Sequence, residues 1–162
     1  MTTRVFLSLG SNVGDRAANL RDAIARLRDA GVRVTRTSSI YETEPVDFLD
    51  QAWFLNCVVE GETELSARKL LEKLLEIPLA MGSKKEIPKG PRRIDVDLLL
   101  YGDAAISEPG LEVPHPRMLA RRFVLEPLAE IAPEVRHPLW SGTASEMLAA
   151  ARDRSAVRRY VE

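Results

Sequence analysis

Between Ile94 and Leu100 two aspartates, Asp95 and Asp97, stand two residues apart in a run that is otherwise aliphatic, Ile-Asp-Val-Asp-Leu-Leu-Leu. Aspartate is depleted in strands and costly to bury unless paired or metal-bound, so this segment constrains the fold more than any other. Read as a strand, it sends Ile94, Val96, Leu98 and Leu100 to one face and Asp95, Asp97 and Leu99 to the other. At ~3.3 Å rise per residue the two aspartate Cα atoms lie about 6.6 Å apart on a shared face. From that spacing two carboxylates can hold a pair of divalent cations about 3.5–4 Å apart. Arg92, behind the Gly90-Pro91 turn, adds a cationic fork suited to a polyphosphate. The plainer alternative is an Asp-x-Asp on the solvated face of an edge strand; the aliphatic neighbours and the two adjacent arginines favour a site.

The remaining elements follow from periodicity and punctuation. Arg4 to Leu9 alternates as a strand and breaks at Gly10-Ser-Asn-Val-Gly14; Asp15 can cap a helix carrying Ala17, Leu20, Ile24 and Leu27, which Gly31 stops. Val32 to Tyr41 and Trp53 to Glu60 are strand candidates joined by a polar connection containing Pro45. Ser66 can cap a second helix, which Pro78 should kink or end, and a lysine-bearing loop over 84–89 leads into the aspartate strand. This order, β-α-β-β-α-β, predicts an α+β fold: a ferredoxin-like sandwich with a mainly antiparallel sheet, helices on one face and the other face free for a ligand. A proline-bounded segment over 108–116, a helix over about 117–131, a last helix capped by Thr143-Ala-Ser-Glu146 and a closing strand within 156–161 form a C-terminal extension. With no repeat or linker in 162 residues, the expectation is one domain spanning 1–162.

Composition narrows the classes. A net charge of -1 argues against a general electrostatic grip on nucleic acid. The single cysteine, Cys57, rules out an internal disulfide and points to a reducing cytoplasm. No apolar run approaches the ~20 residues of a membrane span, so no membrane partner is expected. A self-contained chain without an obvious apolar patch leans towards a monomer.

Two further constellations carry chemistry. Phe54, Asn56 and Val58 share one face of a strand whose other face, Trp53, Leu55, Cys57 and Val59, reads as buried. An aromatic plate beside an amide suits a flat heterocycle, stacked on Phe54 and hydrogen-bonded by Asn56; an asparagine serving a neighbouring backbone group is the alternative. Thr43, Pro45 and Asp47 can wall such a pocket or serve only as turn formers. In Val113-Pro-His-Pro-Arg117, His115 is held in an extended segment from which its ring can reach a phosphate or purine, or is simply exposed on a rigid turn. Arg117 and Arg121, four apart on the expected helix, can bind a polyanion together or form a solvated charge face. His137 has no such companions and reads as structural.

The chain as a whole resembles the 6-hydroxymethyl-7,8-dihydropterin pyrophosphokinase family of folate biosynthesis. The resemblance is carried by Leu9-Gly-Ser-Asn12 with Gly14-Asp15, Ser39-Ile-Tyr-Glu-Thr-Glu-Pro45, Phe54-Leu-Asn56, Gly90-Pro-Arg-Arg-Ile-Asp-Val-Asp97, Val113-Pro-His-Pro116 and Arg121-Arg-Phe123, in that order. It implies transfer of pyrophosphate from the co-substrate ATP to the pterin's hydroxymethyl oxygen, with release of AMP. Asp95 and Asp97 look like the pair that holds two Mg2+ ions, and with Arg92 they form the implied catalytic set. The implied ATP contacts are Lys84, Lys85, Arg92, Leu98, His115 and Arg121. The implied pterin pocket is Thr43, Pro45, Phe54, Asn56 and Phe123, the two phenylalanines sandwiching the ring. The chain departs from the family's pattern over 82–89, where lysines and a proline stand in place of several arginines. The segments over 46–51 and 82–89 are the candidates to close over substrate. Two other classes share the element order: a nucleotidyl transferase of the polymerase-palm type, which would release pyrophosphate, and an RNA-recognition module, whose phosphate backbone Asp95 and Asp97 would repel.

Overall fold

The computed structural model describes residues 1–45, 50–82 and 92–161. The chain opens with β1 (Thr3–Ser11) and α1 (Arg16–Leu27), whose first turn is capped by the Asp15 carboxylate accepting the Ala18 N–H at 3.1 Å. The β-branched stretch after Gly31 resolves into two short strands, β2 (Arg33–Thr37) and β3 (Tyr41–Thr43), followed by the long β4 (Phe54–Thr63). In α2 (Ala67–Ala80) the Ser66 hydroxyl caps the start. Pro78 sits in the final turn, and the helix stops two residues beyond it. The aspartate run is β5 (Asp95–Tyr101).

Past β5 the extension holds an unforeseen hairpin, β6 (Ile106–Glu108) with β7 (Leu111–Val113), inside the proline-bounded segment. The expected helix over 117–131 is broken. Met118–Ala120 form a single 3-10 turn, Arg121 is extended at φ -121° and ψ 104°, and α3 (Arg122–Ile131) begins only after it. Arg117 and Arg121 therefore do not share a helix face. The reciprocal capping box of Thr143 and Glu146 starts α4 (Ala144–Ala150), and β8 (Val157–Arg159) closes the chain as expected. His137 is structural: it is buried, its Nε2 lies 3.0 Å from the Ala104 carbonyl, and its Nδ1 accepts the Leu139 N–H.

The main sheet runs β5-β1-β4-β3-β8, with β2 also paired to β4, and every pairing is antiparallel. One face carries Val5, Leu7, Leu9, Leu55, Cys57 and Val59, buried beneath α1 and α2 with Leu20, Leu27, Leu70 and Leu74. The other face is not left free, as the sequence suggested. Phe6, Val58, Leu99 and Leu100 form a second core there with Met118, Val124 and Leu128, and α4 packs on α3 behind them. What stays open is one end of that face, where Phe54, Asn56, Gly10, Asp95 and Asp97 project beyond the start of α3.

A bulge explains why Leu100 belongs to this second core. Phe6 pairs with Leu100 but Leu7 pairs with Leu98, so Leu99 is the extra residue and the alternation of β5 reverses across it. Beyond the bulge Leu99 and Leu100 both face α3, while Asp95 and Asp97 keep the expected shared face.

α3 is fixed to the sheet edge through Glu130. Its carboxylate accepts the Ser39 N–H and hydroxyl and the Tyr41 hydroxyl at 2.7–3.1 Å, with Arg159 at 3.7 Å. Burial pulls the Glu130 carboxyl up, but the hydrogen bonds from Tyr41 and Ser39 and the Arg159 charge outweigh it and hold it below the usual range. Glu130→Ala should lower the unfolding free energy by about 2 kcal/mol, the worth of a charge-assisted hydrogen-bond set at a wet edge. Because the folded pKa is depressed, this stabilisation is present above the unfolded value of about 4.3 and is lost as pH falls through the folded one. Urea melts of wild type and variant should therefore converge as pH drops below about 4.

Candidate active site

The antiparallel register places four residues in one row across the sheet: Asp95 beside Gly10, Gly10 beside Asn56, and Asn56 beside Tyr41. The next row sets Asp97 beside Ser8 and Ser8 beside Val58. Paired residues on antiparallel strands share a face, so the carboxylates lie at one end of a floor whose other end is Phe54 and Asn56. Gly10 keeps that floor continuous. A Cβ there would stand 2.4 Å from Asn56 Oδ1 and 3.6 Å from the Phe54 ring.

This floor bounds a cleft of about 450 Å³, within the range of small-molecule sites. Its lining brings together Arg92, Asp95, Asp97, His115, Arg121, Thr43, Pro45, Phe54, Asn56 and Phe123, ten of the residues singled out in the sequence. Four others are not among these ten. Lys84 and Lys85 lie outside the described residues, as does Asp47. Leu98 points away: it is buried and packed in the core beneath α1 and α2.

Each wall has a local cause. At the Leu99 bulge the carbonyl accepts the His115 N–H at 2.9 Å, which ties the proline-flanked segment to the aspartate strand. His115 Nδ1 in turn accepts the Arg117 N–H at 3.2 Å, so the neutral ring carries its proton on Nε2 and is a donor there. Burial favours that neutral form; the Asp97 charge opposes it, and Arg121 and Arg117 reinforce it. Arg121 reaches the cleft from the break before α3, its guanidinium 5.4 Å from the centroid of the Phe123 ring. On the opposite wall Asn56 Nδ2 donates to Thr43 Oγ1 at 2.5 Å, which turns Asn56 Oδ1 towards Gly10. Its bond is to a side chain, not to the backbone group considered from the sequence.

The carboxylate end is electrostatically strained. Asp95 keeps 45% of its side-chain surface exposed, yet burial of the rest and the Asp97 charge push its pKa up to about 6 against the pull of Arg92 and Arg121. Arg92 Nε stands 3.6 Å from Asp95 Oδ1. Among the described residues no three His, Cys, Asp or Glu side chains converge on a metal position, so the two aspartates stand as a pair. A pair of hard carboxylates suits Mg2+, which takes one or two protein carboxylates and fills its remaining positions with phosphate oxygens and water.

Several lining residues had no assigned role in the sequence, among them Ser8, Glu44 and Pro116. Asn12 does not line the cleft but lies behind its floor and joins two of the segments around it. Its N–H donates to the Arg92 carbonyl at 2.9 Å and its Oδ1 accepts the Arg92 N–H at 2.7 Å. Its Nδ2 donates to Gln51 Oε1 at 2.8 Å and to the Ala52 carbonyl at 3.0 Å. The signal was present in the Leu9-Gly-Ser-Asn12 motif, but only long-range contacts reveal that Asn12 joins the Arg92 segment to the one before β4.

A sheet carrying a carboxylate pair beside an aromatic slot defines a small-molecule transferase site, and comparison with known proteins is specific. The family model for 7,8-dihydro-6-hydroxymethylpterin-pyrophosphokinase (HPPK) matches residues 6–133. The 2-amino-4-hydroxy-6-hydroxymethyldihydropteridine pyrophosphokinase of Bacillus subtilis (strain 168) is 44% identical over 99% of this chain and 98% of its own length. The protein of the same name from Methylorubrum extorquens is 46% identical over 82% of this chain and 85% of its own. The chain belongs to the HPPK family. Among solved structures, Plasmodium falciparum HPPK-DHPS with pterin and p-hydroxybenzoate superposes with a TM-score of 0.74 at 16% identity, over 93% of this chain. That likeness concerns the fold, and this chain spans 42% of the length of that larger one.

Asn12→Ala should lower the unfolding free energy by about 2 kcal/mol, because the buried Asn12 amide makes three part-buried hydrogen bonds that alanine cannot. Denaturant unfolding with an unchanged m-value checks it.

Proposed function

We propose that this chain transfers pyrophosphate from ATP to the hydroxyl of 6-hydroxymethyl-7,8-dihydropterin, releasing AMP, in folate biosynthesis. One observation carries the reading: the carboxylate pair and the Phe54–Asn56 slot lie on one continuous floor, separated only by the bare backbone of Gly10. A planar ring held at one end therefore places a substituent near whatever the carboxylates hold at the other.

In this reading Phe54 and Phe123 stack on the two faces of the pterin, while Asn56 and Thr43 address its polar edge and Pro45 closes the side. Arg92, His115 and Arg121 contact the triphosphate, Arg92 and Arg121 as charged forks and His115 as an Nε2–H donor. Lys84 and Lys85 are assigned to the departing AMP and Leu98 to the nucleotide, contacts that for Leu98 fall to its backbone because its side chain is in the core. Asp95 and Asp97 hold two Mg2+ ions, which when bound supply charge neutralisation and alignment of the phosphates. The hydroxyl oxygen forms a bond to the β-phosphorus as the bond from that phosphorus to the α–β bridging oxygen breaks, AMP leaves with that oxygen, and the hydroxyl proton passes to solvent. Positioning and preorganised charge carry the rate enhancement.

The fold reading that accompanies this is ferredoxin-like: the β1-α1-β2-β4-α2-β5 core with strand order β5-β1-β4-β2 supports it. We take residues 1–162 as one domain acting as a monomer, because a single sheet with a core on each face carries the whole cleft. A cytoplasmic setting fits the single, buried thiol of Cys57, and a net charge of -1 fits small-molecule rather than nucleic-acid partners. No described helix is long and apolar enough to cross a membrane.

Supplying ATP, Mg2+ and the reduced pterin and identifying the nucleotide product tests the function. AMP is expected; pyrophosphate would indicate nucleotidyl transfer, and no turnover would overturn the assignment. Asp97→Ala should lower kcat by on the order of a thousandfold with an unchanged circular dichroism spectrum. Gly10→Ala, whose methyl would displace Asn56 and crowd Phe54, should weaken pterin binding by about tenfold, roughly 1.4 kcal/mol. Its ATP affinity, measured by calorimetry, should stay within about twofold of wild type, since the new methyl meets only the pterin end.

A further inference from the structure

The segment from Asp153 to Arg159 lies beyond the residues that the family model matches, yet it touches both walls of the pterin end. At one side the Asp153 carboxylate accepts the Arg122 N–H at 2.9 Å, and the Ser155 carbonyl accepts from Arg122 Nη1 at 3.2 Å. Arg122 is the first residue of α3, and its neighbours Arg121 and Phe123 both face the cleft. Arg121, which precedes the helix, supplies no side-chain cap, so Asp153 provides from a distant part of the chain the acceptor that a helix start needs. At the other side β8 pairs with β3, setting Val157 beside Thr43 and Arg158 beside Glu42. The Glu44 N–H donates to the Ala156 carbonyl at 3.1 Å, and the Ala156 N–H donates to Glu44 Oε1 at 2.7 Å. Arg158 pairs with Glu42 at 2.9 Å and lies over the Trp53 ring at 4.9 Å, next to Phe54.

We infer that residues 153–159 are a strap that sets the width of the pterin slot, holding the Phe123 wall at a fixed distance from the Thr43–Pro45 wall, with Asp153 as its positioning residue. The inference rests on the assignment of that end of the cleft to the pterin. Two rings that stack on both faces of a third must keep a fixed gap, and the two phenylalanines stand on different elements, β4 and α3. The second core holds α3 to the sheet farther along, at Val124 and Leu128, but the first residue of α3 is tied to the sheet edge through Asp153 and Ser155. The strap closes that loop of contacts: α3 to Asp153, Ala156 to Glu44, and β3 to β4.

The test is calorimetric binding of 6-hydroxymethyl-7,8-dihydropterin alone, and of a non-hydrolysable ATP analogue with Mg2+, to the full chain and its variants. Asp153→Ala should weaken pterin binding about tenfold, and Asp153→Asn, which keeps an oxygen for the Arg122 N–H, should recover most of that loss. Arg158→Ala removes an exposed ion pair and a ring contact, so it should fold normally and weaken the pterin roughly threefold while leaving the ATP analogue within about 1.5-fold. Pterin affinity unchanged in both alanine variants would overturn the strap, as would an Arg158→Ala that weakens the ATP analogue as much as the pterin. If Asp153→Ala does not fold, Arg158→Ala and Asp153→Asn decide. A wild-type chain that binds no pterin would instead overturn the function on which the strap rests.

Discussion

The site depends on how closely β1 approaches β4 at Gly10. Only a residue without a side chain leaves Asn56 its place, since a Cβ would stand 2.4 Å from its amide oxygen. Through that gap the row from Asp95 to Asn56 becomes a floor on which two chemically opposite ends face one cleft. The helices α1 and α2 bury the underside of the same strands, which fixes the register: a slip of one residue would exchange Leu7 and Leu9 for Ser8 and Gly10. Core packing on one face thus positions chemistry on the other.

Charge is distributed along this floor in a way that a stable apolar sheet would not require. Asp95 is raised by burial and by Asp97, and the arginines that oppose this come from different elements, Arg92 from the segment before β5 and Arg121 from the break before α3. In the proposed reaction a magnesium-bound triphosphate would bring cations to the aspartates and anionic oxygens to the arginines at once. Asn12 contributes without touching that charge, by holding the Arg92 backbone and the Gln51–Ala52 segment to a common post.

Much of this was legible in the sequence where side-chain pattern and backbone geometry coincide. Strict alternation in Asp95-Val-Asp97 and in Phe54 to Val59 gave the correct faces, and Asp15, Ser66 and Thr143 capped the helices they precede. Reading failed where the residues carry no period. Leu98-Leu-Leu100 is apolar throughout and cannot announce a bulge, so Leu100 was placed on the wrong face. Helical spacing of Arg117 and Arg121 was a false guide. Both reach the cleft, but from either side of a 3-10 turn and a break. The covering of the second face by α3 and α4, the Asn12 contacts and the cross-chain cap from Asp153 are long-range facts, invisible to local propensity.

The bulged leucine carries one more implication, for how such a chain can diverge. Any of the three consecutive leucines can be exchanged for another aliphatic residue at modest cost, since volume-conserving swaps in a core are tolerated. Their number cannot change so freely. Losing one would erase the extra residue whose carbonyl anchors His115, and the proline-flanked segment would lose its tie to the aspartate strand. At this point of the chain, insertions and deletions are the intolerable events and spelling is nearly free.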